Sequence, residues 1–231
     1  MGFRRSPLPL TIKLLALAAC GLSVTACAQD SSSSSASRTH TSEKVRPAVR
    51  AIDAGSVSAG AYRNSSFGFT CKIPAGWVLR TEEMNAPSAA SDQSGPDVSI
   101  SVNARVLLAA FSRPPEARAE DINASILIAT ESAADYPELK EPAQYFGPVI
   151  EAAKVQGLEV DDEPYEFAVG AKKLVRGDFQ KDVGTRVMRQ STLVMLARGY
   201  VVSLTFIGGT EEEVEELIQG LSFGPSAKSA K

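Results

Sequence analysis

Few side chains in this sequence could support catalysis or metal binding. The chain has one histidine, His40, and three cysteines, Cys20, Cys27 and Cys71. His40 lies in a stretch of serine and threonine with almost no large apolar residue, which predicts that it stays unfolded. The folded part therefore cannot assemble a Ser-His-Asp triad, a Cys-His pair or a histidine-bearing zinc site. The sequence also lacks a phosphate loop, a dinucleotide fingerprint and a nucleophile elbow, which disfavours catalysis.

Cys27 ends the motif Val24-Thr25-Ala26-Cys27, which follows three positive charges and an apolar run. This order is typical of a lipoprotein signal, which is cleaved before a cysteine whose thiol then carries lipid. The apolar run, residues 14–26, is too short for a membrane-spanning helix, which needs roughly 20 apolar residues. Residues 1–26 are therefore predicted to be a signal peptide, and Cys27 the lipidation site.

Two other cleavage sites compete with cleavage before Cys27. Cleavage before Cys20 would leave only about six apolar residues, fewer than the roughly 7–15 of a signal-peptide core. Ordinary cleavage after Ala28 satisfies the small-x-small rule and would give a protein without an anchor. Cleavage before Cys27 or after Ala28 thus stays open, with lipidation as the expectation. The expected location is the cell envelope, with the domain on the periplasmic or extracellular side, and the outer membrane if the cell is Gram-negative.

Charge and cysteine content limit the function classes further. Loss of residues 1–26 removes three positive charges and lowers the formal net charge from −3 to −6. A basic nucleic-acid-binding surface is therefore not expected. Once Cys20 has left with the leader and Cys27 is lipidated, only Cys71 remains, so no internal disulfide can form. Cys71 lies in an apolar strand candidate, which predicts a small buried side chain and not a nucleophile.

The composition divides the mature chain into three parts. Residues 27–59, which include an uninterrupted run from Ser31 to Ser35, form a predicted flexible serine-rich linker. A coil of this length has a root-mean-square reach of roughly 30 Å. Residues 60–224 are predicted to form one folded domain, and residues 225–231 a disordered tail.

Alternating and continuous apolar patterns predict a β-rich domain. A hairpin is expected from Ala61–Arg63 and Phe67–Ile73, and a second one from residues 185–197 and 200–207. Leu193 to Leu196 are apolar on both faces, which predicts a central strand covered on both sides. Further strands are predicted at residues 98–102, 104–111, 165–169 and 173–180.

Helical spacing of apolar residues predicts three helices. The first runs from Ala119 to Asp135, where Ile122, Ile126, Ala129 and Ala133 repeat at helical spacing. The second runs from Tyr145 to Gln156, with Pro148 in its first turn and Gly157 at its end. The third begins with the capping box Thr210–Glu213, buries Val214, Leu217, Ile218 and Leu221, and ends at Gly220 in a left-handed turn.

Two motifs together resemble the PsbP-like family. Phe67-Gly68-Phe69 followed by Ile73-Pro74-Ala75-Gly76-Trp77 is similar to the family's opening strand. Arg198-Gly199-Tyr200, Phe206 and the closing Leu221-Ser222-Phe223 resemble its terminal hairpin and helix. The resemblance implies an α+β domain, α/β/α layered, with a central antiparallel sheet. This fold serves several unrelated functions, so the resemblance transfers no functional residue and implies no cofactor.

Three groups of residues are candidates for chemistry or binding. Tyr62, Trp77 and Arg80 could rim a binding surface, or Trp77 could be a packing anchor, with Thr81 capping a short helix. The acidic run Glu159–Glu163 is predicted to be an exposed loop before Pro164, although hard cations prefer such ligands. Arg176-Gly177-Asp178 spells an adhesion-like tripeptide, but it lies in the middle of a predicted strand, so a cross-strand ion pair is expected there instead. No metal site is predicted.

These observations favour a non-enzymatic envelope lipoprotein. Its PsbP-like domain, held at the membrane by the lipid on Cys27, is expected to bind an envelope protein or an assembly component. The alternative is a carrier of a small ligand or a metal ion, which would use a pocket between sheet and helices or the run Glu159–Glu163. A third hypothesis is an enzyme without histidine that works through carboxylates such as Asp178 and Glu166.

Overall fold

The residues that the structure describes form two antiparallel sheets of unequal size and three α-helices. The structure is a computed structural model that describes residues 52–86, 104–114 and 121–224. The leader, Cys27, the predicted strand 98–102 and the predicted tail lie outside these residues. The α+β class with a central antiparallel sheet, expected from the sequence, is confirmed. No helix in the described residues is long and apolar enough to cross a membrane.

The large sheet has the strand order β4-β5-β6-β11-β10-β9-β7, and β8 also pairs with β9. Its strands are β4 (Val78–Leu79), β5 (Arg105–Phe111), β6 (Ser125–Ser132), β7 (Glu159–Val160), β8 (Tyr165–Val169), β9 (Lys172–Val183), β10 (Arg186–Ala197) and β11 (Tyr200–Gly208). In β10, Leu193 and Val194 are both fully buried although they point to opposite faces. The predicted central strand covered on both sides is therefore confirmed.

The small sheet has the strand order β1-β2-β3-β12. Its strands are β1 (Ser56–Ser58), β2 (Ala61–Asn64), β3 (Phe69–Lys72) and β12 (Leu221–Phe223). The predicted first hairpin is present as β2 and β3. Ser56–Ser58 forms a strand and Ile52 packs partly buried against the core, so this part of the predicted linker, which was expected to end at residue 59, belongs to the folded domain.

The two faces of the large sheet carry separate apolar cores. One core lies between this sheet, the small sheet and the helix α3 (Glu211–Gln219), and includes Leu193, Phe206 and Ile218. The other lies under the helix α2 (Phe146–Val155) and two short 3-10 helices, Ala133–Asp135 and Pro142–Tyr145. The large sheet is thus the middle of three layers, and the small sheet shares one outer layer with α3.

The predicted helix over Ala119–Asp135 is wrong, because Ser125–Ser132 forms the strand β6 between β5 and β11. Ile126 and Ile128 are buried in one core and Leu127 in the other. A strand covered on both faces is apolar at nearly every position, so helical spacing arises in it by chance.

The two later helices were predicted closely. α2 begins at Phe146 and ends at Val155, with Pro148 in its first turn. Thr210 caps α3, since its Oγ1 accepts the Glu213 N–H at 3.1 Å. Gly220 is not left-handed as predicted, because its φ is −68°. The chain passes directly from Gly220 into β12, so Leu221, which is predicted as part of the apolar stripe of the helix, is a buried strand residue.

The short helix α1 (Thr81–Met84) covers the outer edge of β5. The Thr81 hydroxyl accepts the Ala109 N–H at 3.0 Å, so Thr81 does not act as the predicted helix cap. The Asn85 side chain donates to the Val106 carbonyl at 2.9 Å and accepts the Val106 N–H at 3.1 Å. These side chains replace a neighbouring strand and block pairing with another chain at this edge.

Candidate functional site

A polar cleft of about 390 Å³ opens between β9, β10 and the first turns of α3. Side chains alternate along a strand, so Arg176 and Asp178 of β9 point into it while Gly177 faces α2. Ser191 of β10 pairs in register with Asp178. Glu215 of α3 closes the opposite wall.

Arg176 is the central side chain of this cleft and is only 7% exposed. Its Nε donates to both oxygens of Asp178 at 2.8 and 3.0 Å, and its guanidinium also bonds to Ser191 and Glu215. The Phe167 ring centre lies 5.2 Å from the guanidinium carbon. Burial alone would lower the pKa of Arg176, but the bonds to Asp178 and Glu215 outweigh burial and raise it. Arg176 therefore ties β8, β9, β10 and α3 together as a permanent cation.

Asp178 accepts hydrogen bonds from three side chains. Besides Arg176, the Ser191 hydroxyl donates to it, and the Tyr165 hydroxyl donates at 3.1 Å. Burial, together with the Asp178 charge, raises the pKa of Tyr165 to about 12, so this phenol stays neutral at physiological pH. The ion pair predicted at this tripeptide is not cross-strand, because Arg176 pairs with Asp178 of its own strand and with Glu215 of α3.

The other predicted carboxylates do not join Asp178. Glu166 pairs with Lys173 at 2.9 Å, and these side chains are 65% and 72% exposed. It follows Tyr165 on β8 and so points to the opposite face of the sheet. In the acidic run, Glu159–Val160 is the strand β7 rather than a loop, and Asp161 lies 3.4 Å from Arg189. Within residues 52–86, 104–114 and 121–224, no group of three or more His, Cys, Asp or Glu side chains could hold a metal ion.

The structure does not place Tyr62, Trp77 and Arg80 on one surface. Tyr62 is 1% exposed and donates its hydroxyl to the Ala54 carbonyl at 2.9 Å, so it cannot rim a binding surface. Burial raises the pKa of this phenol. Trp77 packs half-buried against the core, in agreement with an anchoring role, and Arg80 pairs with Glu83 of α1.

Cys71 is fully buried between the small and large sheets. Burial raises the pKa of its thiol to about 12, so the reactive thiolate is not populated at neutral pH. The predicted role as a small buried side chain is confirmed.

A second, more open groove of about 770 Å³ follows the outer surface of the small sheet. Arg63, Thr70 and Lys72 form its floor, and Glu216 and Gln219 at the end of α3 form one side. Arg63 donates to the Ser58 hydroxyl at 3.2 Å.

Sequence reasoning missed three members of the cleft: Tyr165, Ser191 and Glu215. Ser191 lies between two other polar residues, Gln190 and Thr192, so the sequence carries no signal that singles it out. Glu215 sits in a run of glutamates that the sequence explains by helix capping alone. Its pairing with Arg176 depends on the packing angle of α3, which no local pattern contains.

Comparisons with known proteins give weak likenesses. No family model and no curated protein matches the chain. Among solved structures, cyanobacterial PsbP from Synechocystis sp. PCC 6803 is 14% identical, with a TM-score of 0.40, over 74% of this chain and 96% of that one. LpqN of Mycobacterium tuberculosis, described as involved in cell envelope biogenesis, is 12% identical, with a TM-score of 0.32, over 68% and 83%.

A structure from Bacteroides thetaiotaomicron is 9% identical, with a TM-score of 0.34, over 70% of this chain. This chain spans about half of its length, 47%. All three TM-scores lie below 0.5, too low to assign the chain to the family of any of these proteins. Membership of the PsbP-like family therefore stays a prediction from the sequence motifs.

Proposed function

We propose that this protein is a non-enzymatic envelope lipoprotein whose folded domain binds another envelope protein through the polar cleft. The observation that carries the proposal is the closed bonding of the cleft's central side chains. Asp178 accepts from Arg176, Ser191 and Tyr165, so its oxygens are already engaged. A general base needs a carboxylate that can reach a substrate proton. A rigid surface whose side chains are already hydrogen-bonded suits recognition better, because little conformational entropy is lost on binding.

The anchor in this proposal comes from the leader motif that ends at Cys27. Lipid on Cys27 would hold the chain at the membrane, and the serine-rich residues after it would act as a tether. The membrane and an envelope protein are then the two partners, and nucleic acid is not one.

A carrier of a small ligand or a metal ion is the second candidate. The cleft volume, about 390 Å³, lies in the range of small-molecule sites. Such sites are mostly apolar, whereas Arg176, Asp178 and Glu215 line this one. Native mass spectrometry of protein purified from its host would support the carrier function if a small molecule or metal ion stayed bound.

Photo-crosslinking in living cells tests the binding role directly. A benzoylphenylalanine residue is introduced at Tyr165, which is 42% exposed at the cleft, or at Val155, which is 88% exposed on α2 as a matched control. We expect a defined envelope protein to be captured from position 165 and not from 155. Capture of nothing, or the same proteins from both positions, would contradict the proposed role of the cleft.

The anchor needs its own measurement. Radiolabelled palmitate should be incorporated into the wild-type chain and lost in Cys27→Ala. A mature mass that matches cleavage after Ala28, without an acyl chain, would show that the protein is not a lipoprotein.

A further inference from the structure

The outer surface of the small sheet differs in charge from the rest of the chain. Its outward strand positions carry four hydroxyl side chains, two basic side chains and one alanine. The hydroxyl residues are Ser56, Ser58, Thr70 and Ser222, the basic residues are Arg63 and Lys72, and the alanine is Ala61. The inward positions, such as Tyr62, Phe69 and Cys71, are buried in the core. Among the described strand residues of this surface, none is acidic. We call this surface the hydroxyl-basic face.

Both bases of the hydroxyl-basic face are available to a partner. Arg63 and Lys72 are exposed, and neither forms an ion pair within the described residues. Arg63 donates only to the Ser58 hydroxyl, while Glu216 borders the groove from the side of α3. The predicted mature chain has a net charge of −6. An anionic surface would therefore attract this face and repel most of the remaining protein.

The chain reaches the hydroxyl-basic face soon after the predicted anchor. The 24 residues 28–51 separate Cys27 from the first described residue, Ile52, and β1 at the edge of the face begins at Ser56. A coil of 24 residues has a root-mean-square length of roughly 25–30 Å. A lipid on Cys27 would thus keep this face within one tether length of the headgroups.

We propose that the hydroxyl-basic face docks on anionic lipid headgroups of the membrane that carries the Cys27 anchor. The proposal rests on the proposed lipoprotein function, because the tether supplies a high local lipid concentration that makes weak docking effective. Each base near an anionic membrane contributes about fivefold in binding, so Arg63 and Lys72 together contribute about 25-fold. The four hydroxyl groups can bond to phosphate oxygens without adding charge.

Energy transfer from the tethered protein to labelled lipids tests the orientation of the domain. The mature acylated chain carries a fluorophore on Ser222→Cys, on the face, or on Val155→Cys, on the opposite layer. Buried Cys71 does not compete for the label. The protein is placed in vesicles of phosphatidylcholine alone or with 30% phosphatidylglycerol, each containing an acceptor on the headgroups.

We expect phosphatidylglycerol to increase transfer from position 222 and to decrease it from position 155. The increase should disappear in 0.5 M NaCl, because salt screens these charges. It should also be lost in the double variant Arg63→Glu/Lys72→Glu. The matched control, Lys140→Glu/Lys154→Glu, changes charge equally at exposed positions outside the face and should keep the increase. Thermal unfolding of both double variants checks that they are folded.

Equal transfer in both lipids, or equal effects of the two double variants, would overturn the proposal. So would a protein partner that occupies the face independently of lipid charge. Failure of the proposed lipoprotein function can be distinguished from failure of the docking proposal, because the measured mass of the mature protein would then show no acyl chain. In that case, co-sedimentation of the unacylated chain with phosphatidylglycerol vesicles still measures whether Arg63 and Lys72 bind headgroups.

Discussion

Replacement of Arg176 by methionine should destabilise the domain, because it leaves two carboxylates of the cleft without their cation. Methionine keeps most of the apolar stem but removes every hydrogen bond to Asp178, Ser191 and Glu215. Breaking a fully buried ion pair costs roughly 3–5 kcal/mol, whereas a surface pair contributes about 0–1 kcal/mol. Asp178 and Glu215 are 21% and 36% exposed, so solvent screens part of the loss. We expect Arg176→Met to lower the free energy of unfolding by about 2–3 kcal/mol.

The measurement is equilibrium unfolding in urea, together with the midpoint of thermal unfolding. For a domain of 150–250 residues, this loss corresponds to a drop in Tm of roughly 5–10 °C. The pKa of Arg176 is raised in the folded protein. Its contribution to the free energy of unfolding is therefore fully present below the pKa of an unfolded arginine and is lost only as the pH rises through the folded-state pKa.

Arg186→Met provides the matched control. Arg186 pairs with Asp121 at 2.8 Å, but these side chains are 53% and 66% exposed. Its loss should cost less than about 1 kcal/mol at any pH. If Arg176→Met costs no more than Arg186→Met, the cleft network does not hold the four elements together.

Three further substitutions or modifications test other parts of the structure. Gly177→Ala would press a methyl group against the ring of buried Phe146, 2.9 Å from its Cδ1. Urea unfolding should show that the free energy of unfolding falls by about 1–3 kcal/mol. The second substitution Phe146→Leu should restore part of this free energy. Asn85→Ala should speed hydrogen exchange at the Val106 amide and promote self-association in sedimentation experiments, because it uncovers an edge; unchanged exchange would contradict this role. Cys71 should resist a thiol reagent at pH 8 in the folded protein and react at once in guanidinium chloride; rapid labelling without denaturant would contradict its burial.

The parts of the fold that could be predicted are those in which the local pattern determines the local structure. The β10–β11 hairpin was predictable because Arg198-Gly199 separates two long apolar runs, and both residues adopt the positive φ of a tight turn. The start of α3 was predictable because the Thr210 hydroxyl bonds three residues ahead in any capped helix.

The remaining parts depend on contacts between distant residues. The four-residue spacing between Ile122 and Ile126 is consistent with a helix and equally with a strand that is buried on both faces. Only the pairing with β5 and β11 determines that this segment is a strand. The small sheet gains its fourth strand because Leu221–Phe223 pairs with β3, about 150 residues earlier, and no local pattern contains such a pairing. The same holds for the cleft, where Glu215 meets Arg176 only after α3 has packed on the sheet.

Arg176, Gly177 and Asp178 show how one short segment serves two layers at once. Read alone, the tripeptide resembles an adhesion motif, which would require an exposed loop. In β9 the alternation of side chains sends the two charges into the cleft and leaves the glycine against Phe146 of α2, where a β-carbon would not fit. The glycine thus lets α2 approach one face, and the ion pair anchors α3 on the other. Because the cleft and the packing of α2 share these three residues, a change at Gly177 that moves β9 should also disturb the geometry of Arg176 and Asp178.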